Sequence, residues 1–462
     1  MTMSDTVCRT GTILKAVATS LQPSRLVLAL LMVTLLMLGG QIWDGITPAT
    51  VSPEGLTAGV HGTELGLEEE GVLRRAQRRW GEENAGDEAP ELHAVLVMLE
   101  QAIQTVPEED RSQVERTIRR IESFRPRGAF ESTLQYLDVH FELLVEGAVM
   151  FKPTAVYTAL LGVFYHLPAH LWSAGQGWFL VLYGLFFLLV VAVTGGAMCR
   201  MEACQIAANE RLTMREAMLH GIETWIRSFM ALVVPVVLAG IVCGVLLLIG
   251  LVFMSIPLVN VLAAIVYGLV LLLGFLLVFI LLGYVVSWIL LLPAVAVENC
   301  EGGDAMQRAF AFVLNRPLHM LAAVIVGIVG LVLGWLVVQL VAVFTVNMTA
   351  DVVGAWTMND TFVEAGELTR ILGSATDGGR AADSIWYVEW SGSVVGWWMM
   401  LVQYLAVGWI FSYIFAASTR IYLLMRHACD GQDERLIWWP GLIPGTLAQE
   451  PTAADPSTDS DE

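Results

Sequence analysis

Few side chains in this sequence have the type and spacing that bind a metal ion. His166 and His170 have the i, i+4 spacing of two ligands on one helix face, but Pro168 lies between them and no third ligand is evident. Cys199 and Cys204 lack the second pair that a zinc site requires. We therefore interpret these cysteines as small apolar residues and predict no metal ligand.

Groups for catalysis or nucleotide binding are also missing from the places where a membrane protein would need them. Ion-coupled carriers and intramembrane hydrolases usually hold ionisable side chains at membrane depth, where such groups are costly. The long apolar segments of this chain contain none in their interiors. The sequence has neither a GxxxxGK[ST] phosphate loop nor a GxGxxG turn after a strand. It therefore predicts no catalytic residue, no cofactor, no nucleic acid partner and no enzymatic activity.

Polar residues within the apolar segments leave two interpretations open. Single hydrogen bonds between helices account for them, but polar residues that converge on one cavity would line a passive path. Glycines at helix-packing spacing favour a dry, closely packed centre. The polar residues are Asn260, Ser287, Gln339 and Gln403, and the glycine pairs are Gly240 with Gly244 and Gly330 with Gly334.

Composition places the chain in a lipid bilayer. It is 56% hydrophobic and 15% charged, whereas soluble proteins are about 25% charged. From Ser228 to Val297 there is no Asp, Glu, Lys or Arg. Since about 20 apolar residues span a membrane, we predict an all-α polytopic bundle of six spans. These are roughly Leu26–Trp43, Trp178–Met198, Phe229–Met254, Leu258–Val297, Leu318–Val346 and Val394–Ser418.

The fourth predicted span is too long for a straight crossing. A helix over Leu258–Val297 would be about 60 Å long, twice a hydrocarbon core of about 30 Å. We expect it to bend or to leave the membrane at the Ser287–Val297 end. Two separate spans are the alternative, although no polar or turn-rich loop divides the segment.

Basic residues indicate the orientation. The segment before the first span and the loop 200–227 are rich in Lys and Arg, which favours the cytoplasmic side of the cell membrane for both termini. The net charge of −19 then falls mainly on outer regions and the tail. The predicted divisions are 1–45, the cytoplasmic N-terminus and first span; 46–175, an extracytoplasmic helical insert; 176–298, spans two to four; 299–418, a second interfacial helix and spans five and six; and 419–462, an acidic cytoplasmic tail.

The insert has its own helical pattern. Apolar residues share one face over 91–106 and again over 129–149, which predicts a small helical bundle outside the membrane. The following "AVYTALLGVFYHL" is too short to span, and we expect it along the outer surface of the bilayer. The insert and the acidic tail are the predicted contacts for protein partners.

Two amphipathic stretches of similar design precede apolar runs, which indicates an internal duplication. The first is a predicted cytoplasmic interfacial helix over 213–228 that starts with a Thr213–Glu216 capping box. The predicted ion pairs are Glu223 with Arg227 and Asp304 with Arg308. The alternative is that the two stretches acquired the same amphipathic pattern independently. The shared spacing is Glu210, Glu216, Ala217 and Met218 in one copy, and Glu298, Asp304, Ala305 and Met306 in the other.

Three stretches carry a family resemblance: "TGGAMCRMEACQIAANERLTMREAM", "LLLPAVAVENCEGGDAMQRAFAFVLNRPLHML" and "FAASTRIYLLMRHACDGQDE". Together they resemble an uncharacterised group of multi-pass membrane proteins of planctomycete-type bacteria. The second stretch is distantly similar to the membrane domain attached to some glycerophosphodiester phosphodiesterases. The likeness covers residues 10–45 and 176–436 and implies no activity and no site residue.

These observations predict a non-enzymatic integral membrane protein, a scaffold or an accessory subunit of a membrane assembly. The alternative is a carrier or channel for an uncharged or amphiphilic substrate. The four polar residues named above discriminate between them, because a carrier needs them around one cavity.

Overall fold

A computed structural model describes residues 3–47, 128–254, 267–354 and 386–447. These residues form helices and turns, and no strand occurs among them. The predicted helix over 91–106 and the polar residue Asn260 lie outside the described residues. In chain order the helices are α1 (Met3–Ser20), α2 (Pro23–Ile46), α3 (Ala129–Val149), α4 (Pro153–Leu161), α5 (Leu167–Ser173), α6 (Gly177–Ala208), α7 (Met214–Glu223), α8 (Trp225–Ile249), α9 (Tyr267–Glu298), α10 (Gly302–Asn315), α11 (Pro317–Gly354) and α12 (Trp386–Asp430), with π-helical turns at Gly162–His166 and Gly250–Met254.

Within the described residues, six helices are long and apolar enough to cross a membrane, namely α2, α6, α8, α9, α11 and α12. The predicted all-α, multi-pass fold is therefore confirmed. Three of these helices run well past the predicted ends of their spans: α6 continues beyond Met198, α11 beyond Val346 and α12 beyond Ser418. Residues 419–430 are thus helical and continue α12.

The fourth span is one continuous helix wherever it is described. α9 has 32 residues, about 48 Å at about 1.5 Å per residue, and it passes through Pro293 without a break. Its last residues, from Leu290 to Glu298, are all buried within the protein. Residues 258–266 lie outside the described residues. The described segment therefore contains one long helix whose C-terminal end packs against protein.

The described residues within 1–35, 186–353 and 401–462 form one compact unit. Within it, α9 and α10 pack against each other and against α8. The predicted glycine contacts are formed at Gly330, where Tyr413 fills the space of a side chain, and at Gly334, where Trp409 does so. Within the described part of the chain, no atom lies within 4 Å of the missing side chains of Gly240 and Gly244.

The described residues within 36–185 and 354–400 form the other unit. Its described core is a cluster of aliphatic and aromatic side chains from α3, α5 and the start of α6. Phe130 packs over Gly40 of α2, and its ring lies 5.3 Å from that of Tyr183. The predicted helix over 129–149 is observed with these bounds.

The two predicted amphipathic stretches both contain short helices. α7 begins with the predicted capping box. The backbone N–H of Glu216 donates to the Thr213 hydroxyl, and the backbone N–H of Thr213 donates to the Glu216 carboxylate. α7 ends at Glu223, however, so residues 225–228 belong to the following span. α10 buries Ala305, Ala309 and Phe312 on one face. Neither predicted ion pair is formed, because the arginines bond to other residues described below.

Candidate functional site

The first unit contains a buried carboxylate between two arginines, which we call the Glu202 cluster (Thr19, Arg25, Glu202 and Arg420). Glu202 lies on α6 and is fully buried. Arg25, from the start of α2, donates to its Oε2 atom, and Arg420 Nη2 lies 2.5 Å from Oε1. The Thr19 hydroxyl donates to the same Oε1 at 3.3 Å. The cluster therefore ties α1, α2, α6 and α12 together.

A second buried carboxylate has a similar environment, which we call the Glu298 cluster (Glu298, Arg308, Tyr422 and Arg426). Glu298 is the last residue of α9 and is fully buried. Arg308 of α10 donates to Oε2, and the Tyr422 hydroxyl donates to Oε1 at 2.6 Å. Arg426 Nη1 lies 3.8 Å from Oε1. This cluster ties α9 and α10 to α12.

Together the clusters contain two carboxylates and four guanidinium groups, and α12 supplies an arginine to each. Burying a charge is favourable only when a partner of opposite charge and further hydrogen bonds compensate for lost hydration. Here the carboxylates meet that requirement within the chain. Neither carboxylate is open to solvent.

The segment after α12 contacts the Glu298 cluster. Arg426 Nη2 donates to the carbonyl oxygens of Asp433 and Leu436, at 3.0 and 2.5 Å. Backbone N–H groups of Trp438 and Gly445 donate to the carbonyls of Val297 and Glu298, at 2.8 and 3.0 Å. Since the last carbonyls of a helix have no partner within it, this segment caps the C-terminal end of α9.

A further arginine, Arg200 of α6, has carbonyl and aromatic partners. It donates to the carbonyl oxygens of Ala296 and Trp438, at 2.9 and 2.7 Å. Its guanidinium carbon lies 5.8 Å from the ring centre of Trp438 and 5.5 Å from that of Trp439, within the range of cation–π attraction. Arg200 thus joins α6 to the end of α9 and to the C-terminal segment.

The ends of α6 and α9 share one backbone feature. Asn209 and Asn299, the residues that follow these helices, have φ of 55° and 51°, the left-handed conformation that Asn tolerates at a helix C-terminus. Arg227 donates to the Asn299 side chain at 2.6 Å. Glu210 is exposed whereas Glu298 is buried, so these two glutamates of the shared spacing differ in environment. The duplication itself stays a prediction.

Two titratable side chains between the spans are shifted toward their neutral forms. Burial, followed by the nearby charges of Arg200 and Arg227, lowers the pKa of His220 to about 3. Burial, reinforced by Asp304, raises the pKa of the Cys300 thiol to about 12. Neither is suited to a role at neutral pH that requires a charged imidazole or a thiolate.

The residues singled out from the sequence do not form a site. Gln339 and Gln403 are exposed, whereas Ser287 is buried, so the described members of the polar set do not line one enclosed cavity. The rings of His166 and His170 lie 6.3 Å apart. Among the described residues no group of three or more His, Cys, Asp or Glu could hold a metal ion.

The clusters were missed because their charges were interpreted as the ends of spans. One local signal was available: Arg200 and Glu202 interrupt "AMCRMEACQIAA", a run of small and apolar residues that continues the helical pattern. A solvated helix end would be richer in polar residues than this run is.

No protein-family model, curated protein or solved structure matches the chain. The class of the protein follows from its own helices: it is an integral membrane protein with six candidate spans.

Proposed function

We propose that the chain is a non-enzymatic scaffold or accessory subunit of a membrane assembly. The observation that supports this proposal is that both buried carboxylates are paired with arginines of the same chain. Glu202 and Glu298 are both buried and bonded to arginines of the same chain, so they hold helices together and neither of the two is open to a ligand.

The same observation favours a scaffold over a carrier. A carrier must present polar groups along a path, and the exposed positions of Gln339 and Gln403 do not support such a path. Transport of an uncharged solute is tested directly in proteoliposomes that contain the purified full chain. We expect no flux above that of empty liposomes. Flux that disappears in the Gln339→Leu, Gln403→Leu double variant would refute the scaffold proposal.

A scaffold also requires lasting association with other proteins. We expect the tagged full chain, extracted from its own membrane in mild detergent, to migrate as a complex of defined stoichiometry. The exposed Glu210→Gln variant serves as a control that should leave this complex intact. Recovery of the chain only as a free monomer under these conditions would contradict the proposal.

Both clusters and the two short helices belong, in our proposal, to the cytoplasmic side. Cys204 and Cys300 are buried, so their failure to react with an impermeant reagent would not report sidedness. Cysteines introduced at the exposed positions Arg215 and Glu146 are better probes. In intact cells we expect labelling of Glu146→Cys and none of Arg215→Cys. The reverse pattern would invert the topology.

A further inference from the structure

The second unit contains an antiparallel helical hairpin, which we call the surface hairpin (residues 129–173). It runs out along α3 and returns along α4, the π-helical turn and α5. Gly147 lies against Ala155 and Val156, and Gly162 lies against His140 farther back along α3. The two arms therefore contact each other from the tip of the hairpin toward its base.

The base of the hairpin is attached to the ends of two spans. The carboxylate of Asp44, near the end of α2, accepts hydrogen bonds from the backbone N–H groups of Phe130 and Glu131, both at 2.9 Å. The ring of Phe130 also lies 5.3 Å from that of Tyr183, near the start of α6. Because spans end at the bilayer interface, these contacts hold the base of the hairpin at that interface.

The two arms expose opposite kinds of side chain. From residue 129 to residue 147, α3 exposes only Asp138, Glu142 and Glu146, which form one acidic stripe at i, i+4 spacing. Residues 153–173 contain no Asp, Glu, Lys or Arg. This second arm exposes large apolar and aromatic side chains, namely Tyr157, Leu160, Phe164, Tyr165 and Trp172.

The tip of the hairpin adds an independent observation. Phe151 has φ of 53° and is 92% exposed, so a bulky side chain occupies a left-handed position without contact in the chain. Lys152 N–H donates to the Gly147 carbonyl at 2.8 Å, which is a hydrogen bond of the Schellman motif that ends helices. In that motif the left-handed residue, here Phe151, is usually Gly. The other two non-glycine residues with positive φ among the described residues, Asn209 and Asn299, are asparagines, which tolerate this conformation. Phe151 is therefore unfavourable for the isolated chain and exposes an aromatic ring at its surface.

We propose that phospholipid covers the apolar side of the surface hairpin, which lies in the bilayer interface with the Phe151 ring inserted. The exposed apolar surface continues from Trp172 to Trp178 and then onto Val181, Leu182 and Leu185 of the α6 span. Lipid covers the exposed side of a span, so the same lipid meets the adjoining arm. Trp and Tyr are enriched at this depth, and one polar face with one apolar face is the pattern of an in-plane membrane element.

The acidic stripe defines the kind of lipid. Asp138, Glu142 and Glu146 are exposed beside the apolar arm. Glu146 is paired with Lys152 at 3.2 Å, and the other two carboxylates would repel anionic headgroups. The contact should therefore depend on apolar burial and require no anionic phospholipid, unlike that of a basic amphipathic helix. The proposal is independent of the scaffold function, because it concerns what covers this arm whatever the assembly contains.

Photo-crosslinking from single positions tests the proposal in the full chain. The photoreactive residue p-benzoylphenylalanine replaces Phe151 or Tyr165, with Glu142 on the acidic stripe as the matched control. The protein is reconstituted in phosphatidylcholine vesicles, irradiated and analysed by mass spectrometry. We expect phospholipid adducts at Phe151 and Tyr165 at least about five times as abundant as at Glu142. Adding phosphatidylglycerol should not increase them.

Other outcomes would overturn the proposal. Crosslinks from Tyr165 to a second copy of the chain would assign this face to self-association. Equal adduct yields at all three positions would show that the apolar arm has no preferred contact with lipid. Because Phe151 is strained, Tyr165 provides a second reporter if the Phe151 variant folds poorly, and absence of adducts at Tyr165 in folded protein would also refute the proposal.

Discussion

Replacing the buried carboxylate of the Glu202 cluster tests whether the paired charges hold the helices together. In Glu202→Gln the volume of the side chain is kept, but Arg25 and Arg420 lose their shared anion. Their side chains are 1% and 10% exposed, so water cannot replace the lost partner. Leaving a buried charge unpaired costs about 3–5 kcal/mol. We therefore expect the folded-to-unfolded ratio to fall by a factor of between about 10² and 10⁴.

The chain contains its own reporters for this measurement. A thiol-reactive fluorophore added to protein in mild detergent should label buried cysteines only as the fold opens. The exposed Glu210→Gln variant is the matched control and should behave like the unaltered chain. The buried free cysteines are Cys199, Cys204 and Cys300.

A companion variant separates charge pairing from general damage. Arg25→Met, Glu202→Leu and Arg420→Met together remove all three charges and keep apolar volume. Replacing a complete buried ion network is often neutral or stabilising, so this triple variant should be more stable than Glu202→Gln alone. If Glu202→Gln unfolds like the Glu210→Gln control, the clusters do not hold the fold and the reasoning is wrong.

Three further substitutions have defined expected effects. The pKa of His220 in the folded chain is about 3, below its ordinary value of about 6.5, so the unfolded chain binds the proton more readily. The free energy of unfolding should therefore decrease as the pH falls from about 6.5 to about 3, by up to about 1.4 kcal/mol per pH unit. His220→Gln should reduce this pH dependence, as measured by denaturation at several pH values. Asp44→Ala removes the cap of α3 and should cost about 1 kcal/mol, seen as faster hydrogen exchange over residues 129–135, whereas unchanged exchange would contradict the capping role. Phe151→Gly relieves a left-handed position and should raise stability in detergent by about 1 kcal/mol, with a lower melting temperature as the opposing result.

The spans can be predicted from the sequence because each is a continuous apolar run. The buried ion pairs cannot, because their partners are far apart in the chain. The helices α6 and α12 continue past Met198 and Ser418, and charged residues that follow these positions are buried in the protein. Arg25 and Glu202 are separated by 177 residues, and no local pattern links them. α3, by contrast, was predicted with its observed bounds, because its apolar face repeats along one helix.

In the two amphipathic stretches, too, contacts between neighbours in sequence could be predicted, and a contact with another helix could not. The capping box at Thr213 was predictable because it involves neighbours in sequence. The predicted pair of Asp304 with Arg308 was also a local inference, but Arg308 instead meets Glu298 at the end of the preceding span. A buried carboxylate attracts an arginine more strongly than an exposed neighbour does, because less water screens it.

The lengths of the helices explain how buried charge coexists with uncharged spans. α12 has 45 residues and is about 68 Å long at about 1.5 Å per residue, more than twice a hydrocarbon core of about 30 Å. It supplies Arg420 and Arg426 near its C-terminal end, and Glu298 is the last residue of α9. The ion pairs therefore lie where helices project past the apolar runs. There the chain replaces the lost water with its own carboxylates and carbonyls, and the middle of each span needs no charge.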